Sequence, residues 1–157
     1  MIKTRDRYHL YCFIYTYESY IFPVYFFNNK ALLQKRDLLD GNIIWSKTWG
    51  EISNGHHEVD GIAVVGDFIY VSHWDATWLF KNVNAVVKKL NQNGDQMWSK
   101  IWGTLAGKQD TADGHIYADA TGVWVAGRID GGFYTSGDAY LTKIDPNGTQ
   151  LWLKKWG

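Results

Sequence analysis

The hexapeptide WSKTWG at residues 45–50 returns as WSKIWG at 98–103 and as WLKKWG at 152–157, so Trp49, Trp102 and Trp156 stand 53 and 54 residues apart. A spacing this regular means that one structural unit is copied along the chain, and it limits the fold more than any other feature. The similarity extends upstream, through ALLQKRDLLDGNIIWSKTWG, AVVKKLNQNGDQMWSKIWG and AYLTKIDPNGTQLWLKKWG. Each copy reads as an apolar-rich strand, a turn holding Gly41, Gly94 or Gly148, and a second strand with the tryptophan pair. Asn93-Gly94 and Asn147-Gly148 supply the positive φ that a short hairpin demands. The first copy has one more residue in its turn, DLLDG, where a bulge is expected. Ahead of the last two hairpins stand GIAVV then FIYVSH, and HIYAD then VWVAG, parted by Gly66-Asp67 and by Ala120-Thr121-Gly122. A complete copy therefore holds four short antiparallel strands.

A four-stranded unit with this period is the mark of a β-propeller blade, although longer than the ~40–45 residues of the commonest blades. Nine Trp, ten Tyr and sixteen Gly with only two Pro agree with β structure and tight turns. The expected fold is all-β, built of β-propeller blades that are four-stranded antiparallel sheets. Two blades are full, at 51–103 and 104–157, and a partial first blade has strands c and d at 31–50. They form an open arc, or part of an oligomeric or longer ring.

GIAVVGDFIYVS and DPNGTQLWLKKWG resemble the bacterial and archaeal β-propeller repeats called SBBP repeats and, more distantly, the NHL blade; the resemblance covers residues 31–157. It implies strands a to d running outward from a central channel, with GIAVV and HIYAD innermost and the tryptophan strands outermost. It also implies a secreted or cell-surface protein, although the chain carries no clear signal peptide. Gly41 to Trp45, Gly94 to Trp98 and Gly148 to Trp152 share the Gly-x-x-x-Trp spacing of pyrroloquinoline-quinone dehydrogenase propellers. The Ala-x-Asp that opens their motif, an adjacent half-cystine pair and an evident calcium ligand set are missing here. The spacing then reflects a shared way of packing blade edges, with a quinoprotein enzyme fragment the less favoured reading.

Alternation along a strand puts Trp45, Lys47 and Trp49 on one face, and likewise Trp98, Lys100, Trp102 and Trp152, Lys154, Trp156. Two indoles flanking a lysine stem make a stripe suited to packing one blade on its neighbour. Ala31, Leu33 and Lys35 recur as Ala85, Val87 and Lys89 and as Ala139, Leu141 and Lys143. Residues present in every copy are read as structural, because a unique active site would not be triplicated.

Residues 1–30 do not follow the repeat. The stretch YHLYCFIYTYESYIFPVYFF, 8–27, is read as a degenerate half-blade with FIYTYES as its strand b, or else as a membrane or export segment or a leader. Against a membrane span, Glu18 at its middle costs about 2.5–3.5 kcal/mol on insertion scales. Closed propellers have about four to eight blades, so an open arc would expose two apolar faces, and self-association or further propeller blades are the expected partners.

Sixteen basic and sixteen acidic residues leave no net charge, which disfavours nucleic acid as a partner. A lone cysteine, Cys12, excludes an intramolecular disulfide and a Cys-based zinc site. No cofactor, no metal and no catalytic residue is expected. The d–a connections (50–60 and 103–113) and the b–c connections (74–83 and 129–137) are the long ones and share a rim, so a binding surface is expected there. Neighbouring His56 and His57, with Glu58 and Asp60, point opposite ways on extended backbone and read as a solvated loop, and His73 reads as a packed or rim histidine. Trp74, Asp75 and Trp78 in one b–c loop, with Phe133 and Tyr134 in the other, are the candidate ligand-binding residues, since rings beside carboxylates suit sugar faces or peptide contacts. Asn147-Gly148-Thr149 matches a glycosylation sequon, but the hairpin needs Asn-Gly for its geometry. The expected function is a non-enzymatic scaffold or interaction module with a protein or glycan ligand; the alternative is a carbohydrate-binding propeller.

Overall fold

The computed structural model describes residues 13–27, 30–49, 56–76, 83–102, 109–131 and 137–157. Among them lie twelve strands: β1 (Phe13–Tyr17), β2 (Tyr20–Phe27), β3 (Lys30–Asp37), β4 (Ile43–Trp49), β5 (His56–Val65), β6 (Phe68–Ala76), β7 (Val83–Asn91), β8 (Gln96–Trp102), β9 (Gln109–Asp119), β10 (Gly122–Gly131), β11 (Asp138–Ile144) and β12 (Gln150–Trp156). The protein is all-β, and among the described residues no helix is long and apolar enough to cross a membrane.

β1 to β4 form one antiparallel sheet in chain order. β5 to β8 and β9 to β12 are two further antiparallel meanders, joined by one parallel bridge between Val83 and Gln109. The turn between β7 and β8 shows how the hairpins are built. Gly94 N–H donates to Asn91 O at 3.0 Å, and the Asn91 side chain accepts from the N–H of Asn93 and of Asp95 at 2.9 Å. Asp145 repeats this before Gly148, accepting from Asn147 N at 2.9 Å and Thr149 N at 2.8 Å. In the first copy Asp37 and Asp40 share the work, capping Leu39 N and Asn42 N, and the extra residue is held inside the turn.

The bulge expected inside the DLLDG turn of the first copy lies instead in the strand after the turn, and it is shared by all three copies. Pairing passes from Lys35–Trp45 to Arg36–Ile43, from Lys89–Trp98 to Leu90–Gln96, and from Lys143–Trp152 to Ile144–Gln150. Ile44, Met97 and Leu151 are the skipped residues, which explains why these apolar side chains are half exposed. The Gly-x-x-x-Trp spacing is thus the sequence trace of a β-bulge that turns the tryptophan onto the packing face.

In the first copy the strand assignment differs from the expected one. The sequence suggests two full units and a partial one, with FIYTYES beside the strand that begins near Ala31. Instead β1 and β2 complete a four-stranded first sheet: Phe13–Tyr17 lies at its edge, and Tyr20–Phe27 pairs with β3. Glu18 adopts φ 53° and makes the turn that glycine makes in the second copy. Pro23, which has no N–H for a ladder, sits where the β2–β3 pairing breaks off at Ile21 and resumes at Val24.

Burial occurs between sheets. One apolar cluster joins Phe22, Ala31 and Leu33 of the first sheet to Val59, Ile62, Val64, Ile69, Val71 and Leu90 of the second meander, with Trp45 and Trp49 packed on it. A second joins Tyr70, Ala85 and Val87 to Ala112, Val123, Val125 and Ile144 of the third, with Trp98 and Trp102. Each meander therefore shows a forward face to the next and a backward face to the one before. Their first strands are neighbours, β1 touching β5 and β5 touching β9.

Candidate functional site

The residues repeated in every copy meet at two seams. Across the first, Trp45 Nε1 donates to Gln92 O at 2.9 Å; across the second, Trp98 Nε1 donates to Pro146 O at 3.0 Å. Both acceptors stand two residues before the turn glycine, and the glycine itself lies against the indole. A Cβ on Gly94, φ 76°, would fall 3.3 Å from Trp45 Cδ2 and 2.7 Å from Lys47 Cε, and one on Gly148, φ 89°, would fall 3.2 Å from Trp98 Cγ. Each turn thus needs glycine twice, for its backbone and for the ring it rests on.

The lysine between the indoles is not the buried one. Lys47 is partly exposed and reaches Asp95 at 3.4 Å, whereas the strand-c lysines Lys35 and Lys89 are 7% and 4% exposed. Lys35 Nζ stands 3.8 Å from the Tyr20 ring centroid and donates to Gln92 Oε1 at 2.8 Å. Lys89 Nζ stands 3.8 Å from Phe68 and donates to Pro146 O at 2.8 Å. Burial holds both ammonium groups below the usual lysine range, opposed by the charges of Glu18 and Asp145 respectively. An aromatic face and a carbonyl oxygen are what a desolvated ammonium requires.

The second tryptophan of each hexapeptide finds a different partner at each seam. Trp49 stacks on the buried His73 ring, with centroids 6.3 Å apart and planes at 10°. Trp102 meets Tyr140 edge to face at 5.9 Å and 89°. Gly127 occupies the place of His73 in the third meander, and a Cβ there would fall 2.0 Å from the Thr111 carbonyl oxygen and 2.9 Å from Tyr140 Cε1. The close approach of the Thr111 backbone excludes any side chain at this position, and the Tyr140 ring stands beside it.

The candidate ligand residues are not gathered into one site. Trp74 and Asp75 are not in a loop; they extend β6, pairing with Ala85 and Asn84, because β5 and β7 both run past His73 and bury Ala76 and Val83. As adjacent strand residues they face opposite ways. Asp75 Oδ1 lies 3.0 Å from His73 Nδ1, so this carboxylate faces the packed histidine. Trp78, Phe133 and Tyr134 lie outside the described residues, as does Cys12. The backbones of His56, His57 and Glu58 belong to β5, opposite Ala76, Asp75 and Trp74, rather than to a loop. Among the described residues no group of three or more His, Cys, Asp or Glu side chains is placed to hold a metal ion.

Two polar features were not anticipated. A cavity of about 310 Å³, lined by Glu18, Tyr20, Lys35, Gly66, Asp67 and Gln92, opens among the β1–β2, β5–β6 and β7–β8 turns. Its polar groups serve one another, with Lys35 on Gln92 and Gln92 Nε2 donating to Gly66 O at 3.2 Å. The second feature lies in the third meander. Asp130, at φ 61°, donates its N–H to Asp110 Oδ1 at 2.7 Å and receives Lys155 on its carboxylate. The hydrogen bond from Lys155 to Asp130 raises the lysine above its usual range, helped by Asp138 and Asp110. This group pins the register irregularities of β10. Glu18 and Gln92 differ from their counterparts in the other copies, which is the one signal the sequence held for the cavity.

No protein-family model matches this chain, and no curated protein matches it.

Proposed function

We propose that the chain is a non-enzymatic scaffold of β-propeller type, three consecutive blades whose repeated residues bind blade to blade and whose variable rim offers the surface for protein partners. One observation carries this reading. The triplicated tryptophan, lysine and glycine positions are engaged with each other across the two seams, through Trp45 on Gln92 O and Trp98 on Pro146 O. Four-stranded antiparallel meanders with adjacent first strands and apolar faces packed in succession support the blade interpretation. So does the resemblance of GIAVVGDFIYVS and DPNGTQLWLKKWG to SBBP repeats. Side chains that hold a scaffold together recur in each copy, whereas a ligand site needs residues particular to one copy.

A glycan array at high protein concentration tests the reading against carbohydrate binding. The scaffold reading predicts no reproducible glycan signal. A signal lost in Trp74→Ala or Trp78→Ala, with the far-UV spectrum unchanged, would replace it with a sugar-binding propeller.

A further inference from the structure

The outer face of the third meander repeats the forward half of both seams. Trp152 stands at the position of Trp45 and Trp98, Trp156 at that of Trp49 and Trp102, and Lys143 at that of Lys35 and Lys89. Trp124 takes the place of Phe22 and Tyr70. Lys143 Nζ lies 4.3 Å from the Trp124 ring centroid, nearer than Lys35 and Lys89 lie to the corresponding rings of Phe22 (6.0 Å) and Tyr70 (5.7 Å), and it donates within its own sheet to Thr121 Oγ1 at 3.1 Å. Tyr117 leans on Trp124 at 5.4 Å and is 62% exposed, and Trp156 is 55% exposed. Among the described residues no fourth sheet covers this aromatic face.

The backward half is carried by the first sheet. Ile21 and Pro23 occupy the positions of Ile69 and Val71 in the second meander and of Val123 and Val125 in the third; Pro23 is already buried and Ile21 half-buried within the chain, so the accessible part of this face is its turn and the half-buried Arg36. The turn from Asp37 to Asn42 corresponds to the turns that accept an indole N–H, and its Leu39 is 94% exposed. One substitution departs from the pattern: Arg36 stands where Leu90 and Ile144 are buried, held by Gln34 Oε1 at 2.9 Å and Gly41 O at 2.8 Å. In both seams that position faces the indole cluster of the preceding sheet. A guanidinium placed over tryptophan rings is attracted to them, so Arg36 suits a partner that brings Trp152 and Trp124.

We propose that a second copy of this chain docks head to tail. The β10–β12 face of one copy would cover the β2–β3 face of the other, with the Trp152 N–H donated to a carbonyl of the Leu38–Leu39 turn and Arg36 on the tryptophans. This rests on the blade reading above. Two identical contacts related by a two-fold axis close a ring of six four-stranded meanders, three from each copy, within the size range of closed propellers. The occupant is a second copy because the new contact continues an interface the chain already makes twice, and because each chain carries the residues of both halves.

Sedimentation equilibrium and light scattering on the full chain test this over a range of concentrations. The expected species is a dimer, and Trp152→Ala or Arg36→Glu weakens its association by roughly thirtyfold. As a second measurement, Lys154→Cys chains are mixed with Asn42→Cys chains, both in a Cys12→Ser background. These positions match Lys47 and Asp95, which meet across the first seam. The expected disulfide forms between chains in the mixture and in neither alone. A monomer at every concentration with an intact near-UV spectrum overturns the proposal, and so does open polymerisation, or association unchanged in both single variants. A monomer that still shows the Trp98–Gly148 coupling described below leaves the blade reading standing, whereas loss of that coupling would sink both.

Discussion

Gly148→Ala and Gly41→Ala make the same chemical change in corresponding turns, yet should differ sharply in effect. Both glycines have positive φ, 89° and 72°, so alanine costs about 1–2 kcal/mol of backbone energy at either. At Gly41 an added Cβ meets nothing within 4 Å; at Gly148 it meets Trp98 Cγ and Cδ2 at 3.2 Å. That approach is too close for a ring fixed by its hydrogen bond to Pro146 O, and the overpacking adds about 1–3 kcal/mol. Gly148→Ala should therefore cost roughly 2–5 kcal/mol and Gly41→Ala no more than about 2. A double-mutant cycle isolates the difference. With Trp98→Ala in the background the ring is gone, and Gly148→Ala should return to the backbone cost alone, a coupling of about 1 kcal/mol or more. Urea unfolding followed by far-UV circular dichroism and by tryptophan fluorescence gives the four free energies, provided the two transitions coincide. Equal costs at Gly41 and Gly148, or no coupling to Trp98, would refute the argument that each turn rests on the preceding sheet's indole.

Three further outcomes follow from the seams. Trp45→Phe, which leaves Gln92 O without its donor, should destabilise by about 1–2 kcal/mol, whereas Trp152→Phe should change the stability of the monomer by less than about 0.5; thermal and urea melts of the pair decide. Lys89 has a folded pKa below its unfolded value near 10.5, so over that interval the unfolded chain binds more protons and stability contributed by this group rises with pH. Lys89→Met should remove that rise, read as the wild-type minus variant difference between neutral pH and pH near 10.5, while altering neutral-pH stability by less than about 1 kcal/mol. Ile44→Ser, Met97→Ser and Leu151→Ser act on bulge residues that face water, and each should stay within about 0.5 kcal/mol of the parent in the same melts.

The hairpins were legible because Asn93-Gly94 and Asn147-Gly148 have one economical conformation. The packing role of the tryptophans followed from their period. Their hydrogen-bond acceptors did not, since Gln92 and Pro146 accept through backbone oxygens that no side-chain pattern encodes. In the half-blade expected within 8–27, FIYTYES reads as strand b, whereas Phe13–Tyr17 is the edge strand; Glu18 makes the turn after it without a glycine to mark the place. The longer DLLDG turn points to a bulge within that turn, whereas the bulge that all three copies share lies three residues after the turn glycine, inside the constant Gly-x-x-x-Trp spacing. Trp74 and Asp75 were placed in a loop because the repeat ends at His73, but strand length is set by neighbouring strands, and β5 and β7 carry β6 on to Ala76. The buried lysines were seen as repeated residues; that Lys35 and Lys89, rather than Lys47 of the hexapeptide, lie under the aromatic rings depends on which strand lies deeper between sheets.

The central claim is that each four-stranded meander is fastened to the next by an indole reaching the following turn. Proton NMR of the folded chain, with the indole N–H signals assigned, tests it most directly. The account predicts nuclear Overhauser contacts from Trp45 Nε1–H to the protons of Gln92 and Asn93 and from Trp98 Nε1–H to those of Pro146 and Asn147, with both indole protons exchanging slowly. Rapid exchange at Trp45 and Trp98 in a folded protein, with no contact from either to the turn 47 or 48 residues away, would contradict it.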